Sequence, residues 1–240
     1  MRLIIIRHGD PDYDIDSLTK KGFREAALLS DRLSKLDISK IYCSPLGRAK
    51  DTAKPTLEKL GADMEILDWL EEFPRSTYRS DGTLRRAWDQ LPRIWTNDEI
   101  YFDRDNWIKG DIFKNTETKN LYNNVCKKID ELLEKHGYKR ENNLYRAIKP
   151  NHDTIVLFCH FGLECVLLSH ILNISPMCLW HGFVALPTSV TTLITEEREE
   201  GYAYFRCNAF GDISHLYAGD EPPAFAARFC EEFSNSEERH

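Results

Sequence analysis

Leu3-Ile4-Ile5-Ile6-Arg7-His8-Gly9 is a short apolar run that stops on two titratable side chains and a glycine. Consecutive apolar, mostly β-branched residues fit a strand buried on both faces, as in a parallel sheet covered by helices. The same pattern recurs at Lys40–Cys43, Glu65–Asp68, Thr154–Cys159, Val190–Thr195 and Tyr202–Cys207. Helical patterns lie between these runs. Lys20–Lys35 sets Phe23, Ala26, Ala27 and Leu33 on one face behind Thr19 as N-cap. Ser44-Pro45 reads as N-cap and first helical residue of a helix striped by Leu46, Ala49, Ala53, Leu57 and Leu60, and a third helix runs from Phe161 through Leu172. Strands alternating with helices predict βαβ units, hence an α/β three-layer sandwich with a mainly parallel sheet flanked by helices.

A chain of 240 residues suits one large domain spanning 1–240. Residues 74–153 interrupt the alternation with Trp88, Trp95, Trp107 and a helical stretch near Asn124–Lys135 that carries Val125, Ile129, Leu132 and Leu133. This composition is too aromatic for a linker and predicts a mostly helical insertion, a cap over one edge of the sheet. The last dozen residues, including Ser234-Asn235-Ser236-Glu237-Glu238, read as a frayed tail. The net charge of −7 excludes a general nucleic-acid surface, which needs clustered cations, but leaves room for an anionic small molecule held by a few arginines. The run Leu3–Ile6 is too short for a leader's apolar core, and nothing approaches the ~20 apolar residues of a membrane span. Seven cysteines without a CxxC pair, of which Cys43, Cys159 and Cys207 end strand-like runs as small buried hydrophobes, predict a cytoplasmic protein. Oligomeric state is not encoded in any pattern found.

The chemistry lies at the ends of the strands. Arg7-His8-Gly9 follows the first, Ser44-Pro45-Leu46-Gly47-Arg48 the second, Glu71-Glu72 the third, and His160 the run Ile155–Cys159. Ligands of open parallel sheets bind at the carboxyl ends of the strands, so two histidines, two arginines and an acid pair are expected on one rim. That set suits phosphoryl transfer to histidine. A phosphoryl group in transfer spreads charge over three oxygens, and arginine forks can meet them without a metal. A neutral imidazole is a competent nucleophile when its second nitrogen donates to a carbonyl, and Gly9 would let backbone pass close to the ligand. The leaving oxygen then needs a proton from a carboxylic acid.

Five elements in order resemble the histidine phosphatase superfamily, the group that includes cofactor-dependent phosphoglycerate mutases. They are Ile4-Ile5-Ile6-Arg7-His8-Gly9, then Leu18-Thr19-Lys20-Lys21-Gly22 (LTxxG), then Ser44-Pro45-Leu46-Gly47-Arg48-Ala49-Lys50-Asp51-Thr52-Ala53 (SPLxRAxxTA), then Leu70-Glu71-Glu72, then Cys159-His160-Phe161-Gly162. The resemblance implies that His8 is the phosphorylated nucleophile, that Arg7, Arg48 and His160 hold the phosphoryl oxygens, with Gly9 beside the ligand, and that Glu72 is the proton donor. The acid phosphatase and phytase branch carries an Asp directly after the second His; here Phe161 stands there, which directs the assignment to the mutase-like branch.

Phosphoglycerate mutases usually read RHG-x-S/T-x-W-N, whereas this chain has Pro11, Tyr13 and Asp14 at the hydroxyl, Trp and Asn positions. A proline cannot donate to phosphate and an aspartate repels it, so the expectation is a metal-independent phosphomonoester hydrolase for a small phosphorylated substrate, with no cofactor. The alternatives are a mutase-type phosphotransferase and a catalytically silent phosphate-binding protein. His8, Asp10 and Asp12 are the densest candidate metal ligands, and Arg7 and Arg48 would oppose a cation there, so no metal is expected. Asp10, Asp12, Asp14 and Asp16 follow the nucleophile directly. Facing the ligand they would disfavour heavily anionic substrates; turned away, they would cap the helix near Thr19.

Overall fold

In the computed structural model, which describes residues 1–78, 82–224 and 232–235, the chain opens with strand β1 (Arg2–Arg7), the short pair β2 (Pro11–Asp12) and β3 (Ser17–Leu18), and helix α1 (Lys20–Leu33). Strand β4 (Lys40–Cys43), helix α2 (Gly47–Leu60) and strand β5 (Glu65–Ile66) complete the first half. A hairpin of β6 (Thr77–Tyr78) and β7 (Leu84–Arg85), the single turn α3 (Pro92–Trp95), several 3-10 turns and the long α4 (Thr118–Lys135) follow. The chain then forms β8 (Tyr138–Glu141), β9 (Leu144–Ala147), β10 (Thr154–Cys159), α5 (Phe161–Leu172), α6 (Pro176–Gly182), β11 (Val190–Glu199), β12 (Tyr202–Asp212) and α7 (Ser214–Ala218).

Among the described residues one eight-stranded sheet runs β5-β4-β10-β1-β11-β12-β9-β8. β5, β4, β10 and β1 are mutually parallel, and the four strands beyond β1 pair antiparallel in turn. Successive residues of a strand face opposite sides of the sheet, and the core divides accordingly. Leu3, Ile5, Tyr42, Ile155, Leu157 and Cys159 join α4, α5 and α6 on one face. Ile4, Ile6, Ile41, Cys43, Val156 and Phe158 join α1 and α2 on the other. Each of these side chains is 2% exposed or less, a burial worth about 1.5–3 kcal/mol for each large aliphatic one. Helix α5 packs against the sheet, α4 and α6 at once, which is why ten of its twelve residues are buried.

The three-layer α/β arrangement is the one read from the sequence, but its sheet is mixed, and only the half that carries the strand-end motifs is parallel. Residues 74–153 are also less helical than expected. Beyond α4 the chain forms the hairpin β8–β9, which pairs with β12 and extends the main sheet. Lys139, Arg140, Glu141 and Arg146 leave Tyr138 and Tyr145 as the buried residues of this hairpin, too sparse a pattern to read as strands. Helix α1 is rotated relative to its expected phase: Phe23 and Ala27 are exposed, and Gly22, Glu25, Ala26, Leu29, Ser30 and Leu33 face inward. Cys207 is exposed rather than buried. No helix among the described residues is long and apolar enough to cross a membrane. The expected frayed tail lies, apart from 232–235, outside the described residues.

Candidate active site

The β1, β10 and β4 register sets Arg7 beside Cys159, and Phe158 beside Cys43, so the three strands end level. The ladder continues one residue further: the His8 amide donates to the Cys159 carbonyl at 3.1 Å and the Ser44 amide to the Phe158 carbonyl at 2.9 Å. His8, Ser44 and His160 therefore emerge side by side, with the His8 and His160 ring centroids 5.1 Å apart.

His8 Nδ1 lies 2.8 Å from the Gly9 carbonyl oxygen. A carbonyl only accepts, so Nδ1 carries the proton and Nε2 keeps its lone pair. Burial, and then the charges of Arg7 and Arg48, hold the imidazole well below the ordinary histidine range despite that carbonyl. His8 is thus neutral at pH 7. Its partner His160 receives Arg48 Nη2 at Nδ1, 3.4 Å away, so its Nε2 carries the proton and donates to Ser44 Oγ at 2.8 Å. Burial, then the neighbouring His8, Arg48 and Arg7, push its titration far down as well. Ser44 Oγ, expected to cap α2, accepts the Leu46 amide at 3.3 Å just ahead of the helix and at the same time orients His160; α2 itself starts at Gly47, with no side-chain cap from Leu46. The α2 amide of Gly47 donates to Asp16 Oδ2 at 2.6 Å.

Arg7 Nη1 is fixed on the Ala185 carbonyl at 2.6 Å, and its buried Nε makes no hydrogen bond with the described residues. Arg48 directs Nη2 at His160 and Nη1 at Asp16 Oδ1, 2.6 Å away. Both arginines are buried residues. With His8 Nε2 they form a small cationic recess at the end of a four-stranded parallel half-sheet, the position expected for a bound anion.

Glu72, not the exposed Glu71, turns inward. Its Oε1 accepts the Phe73 amide at 2.8 Å and the Leu163 amide, in the first turn of α5, at 3.2 Å. Oε2 makes no bond with the described residues, so a proton on this carboxyl group resides there. Burial raises the titration of Glu72 above the ordinary carboxylate value, prevailing over the charges of Arg86 and Arg7 and over the two amides. Close packing keeps Glu72 in place. A Cβ on Gly162 would meet Glu72 Oε1 at 2.8 Å and would overlap the Trp88 ring. Gly162→Ala is therefore expected to cost about 1–3 kcal/mol of stability, outweighing the helix-propensity gain of up to ~1 kcal/mol, as urea denaturation would show. An unchanged or raised midpoint would mean that Trp88 does not close the site.

In the loop after His8 the Gly9 amide donates to Thr52 Oγ1 at 2.9 Å, and a Cβ on Gly9 would press on the Gly22 carbonyl of α1 at 3.0 Å. Of the two orientations open to the aspartates, lining the recess as a group is not the one they adopt. Asp10 accepts Thr19 Oγ1 at 2.6 Å while Thr19 caps α1, Asp12 accepts the Asp14 amide at 3.2 Å, and Asp14 is exposed. Asp16 alone reaches the site. Burial opposes it, but the Gly47 amide and Arg48 hold its carboxylate below its usual value. No group of three or more metal-ligating side chains exists among the described residues. The sequence reading gave no site role to Thr52, Arg86 or Trp88. Thr52 stands inside a quoted motif, whereas the cap residues follow no pattern.

Known proteins resemble this arrangement. The sequence profile of the histidine phosphatase superfamily (branch 1) matches residues 3–208. A Schizosaccharomyces pombe protein described as a probable phosphatase is 23% identical over 235 residues, covering 90% of this chain and 95% of that protein. A candidate phosphoserine phosphatase of Hydrogenobacter thermophilus is 24% identical over 183 residues, covering 72% of this chain and 85% of its own. Among solved structures, a phosphoserine phosphatase mutant from Entamoeba histolytica bound to phosphoserine superimposes with a TM-score of 0.60 at 18% identity, over 90% of this chain and 98% of that one. A mycobacterial glucosyl-3-phosphoglycerate phosphatase superimposes with a TM-score of 0.57 at 21% identity, over 87% and 98% of the two chains.

Proposed function

Because this chain belongs to the histidine phosphatase superfamily, we propose that it is a metal-independent phosphomonoesterase that acts on a small phosphorylated molecule through a phosphohistidine on His8. The observation that carries the reading is the neutral His8 imidazole, its Nδ1 proton fixed on Gly9 and its Nε2 free beside two buried arginines.

In the first step His8 Nε2 attacks phosphorus, the P–N bond forms as the P–O ester bond breaks, and the leaving oxygen takes the Glu72 Oε2 proton. Arg7 and Arg48 hold the equatorial oxygens, where charge accumulates, while His160, whose Nε2 proton is given to Ser44 and whose Nδ1 faces Arg48, keeps Arg48 in place rather than donating to them as the sequence led one to expect. In the second step water attacks phosphorus and gives its proton to the now ionised Glu72. The P–N bond breaks, and inorganic phosphate leaves with His8 neutral again. The relatives named as phosphatases support hydrolysis over transfer to a second substrate. Pro11 and Asp14, which offer a second phosphate no donor, point the same way. The six described cysteines, all free, favour a reducing compartment, the cytoplasm.

The purified protein is expected to release phosphate from p-nitrophenyl phosphate in the presence of a chelator, and not to interconvert 2- and 3-phosphoglycerate. No release from acid to neutral pH would support the silent binding protein. Loss of activity on chelation would overturn the metal-independent mechanism.

A further inference from the structure

The loop between α6 and β11 grips the end of β1 at three points. The Arg7 amide donates to the Ser189 carbonyl at 3.2 Å, Arg7 Nη1 donates to the Ala185 carbonyl, and the His8 carbonyl accepts the Thr188 amide at 3.2 Å. The nucleophile is thus held from two sides, its own amide on β10 and its carbonyl on Thr188. Thr188 is fully buried and adopts φ +58°, a left-handed backbone that a β-branched residue rarely tolerates. Its hydroxyl gives its one proton to the Pro187 carbonyl at 2.7 Å and lies 3.1 Å from Nε2 of the buried His215 in α7. The hydroxyl therefore accepts, and His215 carries its proton on Nε2. Helix α7 is a firm support for that contact. Leu216 is fully buried, and a Cβ on Gly219 would overlap Leu28 of α1. Asp212, just ahead of the helix, pairs with Arg32 of α1 at 2.7 Å and accepts the Ser214 amide at 2.8 Å.

Strained residues persist where their surroundings over-determine them, and they gather at functional sites. We propose that His215 is a positioning residue for the nucleophile: by holding the Thr188 hydroxyl it keeps Thr188 left-handed, and the Thr188 amide in turn fixes the main chain from which His8 aims Nε2 at phosphorus. The proposal rests on the phosphatase reading above. Among the described residues the His215 imidazole hydrogen-bonds only to Thr188, so its effect on His8 has to pass through that residue. Burial, and after it the charge of Arg32, lowers the His215 titration to about 4 against the pull of Asp212. The ring is therefore neutral and offers the same single N–H across the neutral range.

His215→Ala is expected to lower kcat for p-nitrophenyl phosphate by about ten- to a hundredfold, the scale of a small misplacement of reacting groups. Inhibition by inorganic phosphate should weaken far less, because the Arg7 and Arg48 side chains keep their anchors on Ala185 and Asp16. His215→Gln, which can present an amide N–H to Thr188, should recover most of the rate. Thr188→Gly adopts the left-handed backbone without help. Whatever rate that variant retains, adding His215→Ala to it should lower the rate by less than about twofold, a non-additive pair. Hydrogen exchange reads the contact without turnover: the Thr188 amide should exchange about tenfold faster in His215→Ala than in wild type, relative to Ile5 in the middle of β1, and His215→Gln should restore it. An unchanged kcat in His215→Ala, a loss that His215→Gln does not recover, or equal losses in the wild-type and Thr188→Gly backgrounds would overturn the proposal and leave His215 as packing for α7. If the wild-type protein hydrolysed no ester at all, the phosphatase reading would fail instead, and the exchange of the Thr188 amide would still decide whether His215 holds it.

Discussion

Replacing His8 with Ala is expected to lower turnover of every phosphomonoester by at least ~10⁴-fold, the scale seen when an enzymatic nucleophile is removed. The other nucleophilic groups nearby cannot take its place. Ser44 Oγ is engaged by His160. Burial pushes the Cys43 thiol up to about 12 and raises that of Cys159 further from its thiolate, so neither is reactive near neutrality. The backbone bonds that fix the strand end, from His8 to Cys159 and from Thr188 to His8, survive the substitution, so the variant should fold. The same experiment has a positive arm. Wild-type protein quenched in mid-turnover with a labelled ester should carry an acid-labile, alkali-stable phosphoryl group, located by mass spectrometry on His8. An adduct on Ser44 or on a cysteine would replace the mechanism. The pH dependence follows the sign of the His8 shift: a histidine held well below its ordinary value stays neutral as pH falls through 6.5. The nucleophile should therefore impose no loss of kcat/KM between pH 7 and mildly acid conditions, whereas an unperturbed histidine would impose one.

What the sequence made legible, and what it hid, has a physical pattern. β1, β4 and β10 could be read because each is apolar on both faces and then stops on polar residues, and a parallel half-sheet carries those residues to a common rim. The phase of α1 was hidden because its buried face includes Gly22, packed on the Asp10 backbone, and Glu25, whose carboxylate accepts the Asp10 amide at 2.9 Å; a polar residue on an inward stripe defeats periodicity. The aspartates after His8 could be counted but not oriented. Their directions depend on the β2–β3 turn, where Asp16 adopts φ +47° and swings toward Arg48. Arg86 and Trp88 were invisible for a different reason. They act through where the cap lands on the first turn of α5, a tertiary placement with no local sequence correlate.

The carboxylic acid carries the second large effect. Glu72→Gln is nearly isosteric and keeps a carbonyl oxygen for the Phe73 and Leu163 amides, so it removes the proton and little else. General acid catalysis contributes ~10²–10⁴-fold, and it matters only when the leaving oxygen is basic. An alkyl phosphate should therefore slow by about that factor in the variant, while p-nitrophenyl phosphate, whose alcohol departs as a stable anion, should slow far less in the first step. Burst kinetics separate this step from hydrolysis of the phosphoenzyme, in which Glu72 is the base for either substrate. The pH profile supplies an independent sign. Burial holds Glu72 protonated above the usual carboxylate range, so its acid form is present at lower pH and is lost as pH rises through the raised value. For an alkyl ester kcat/KM should accordingly fall on the alkaline side in wild type, and that limb should vanish in Glu72→Gln. Equal losses of the first step for both esters, with the alkaline limb intact, would transfer the role to another acid. Glu71 is exposed and Asp68 lies one turn earlier, so either would have to reach the recess by a rearrangement of the Leu70–Phe73 segment, whose Leu70 and Phe73 side chains are fully buried. Such a rearrangement would uncover about 1.5–3 kcal/mol of apolar burial for each of them, which is the physical reason the proton is assigned to Glu72.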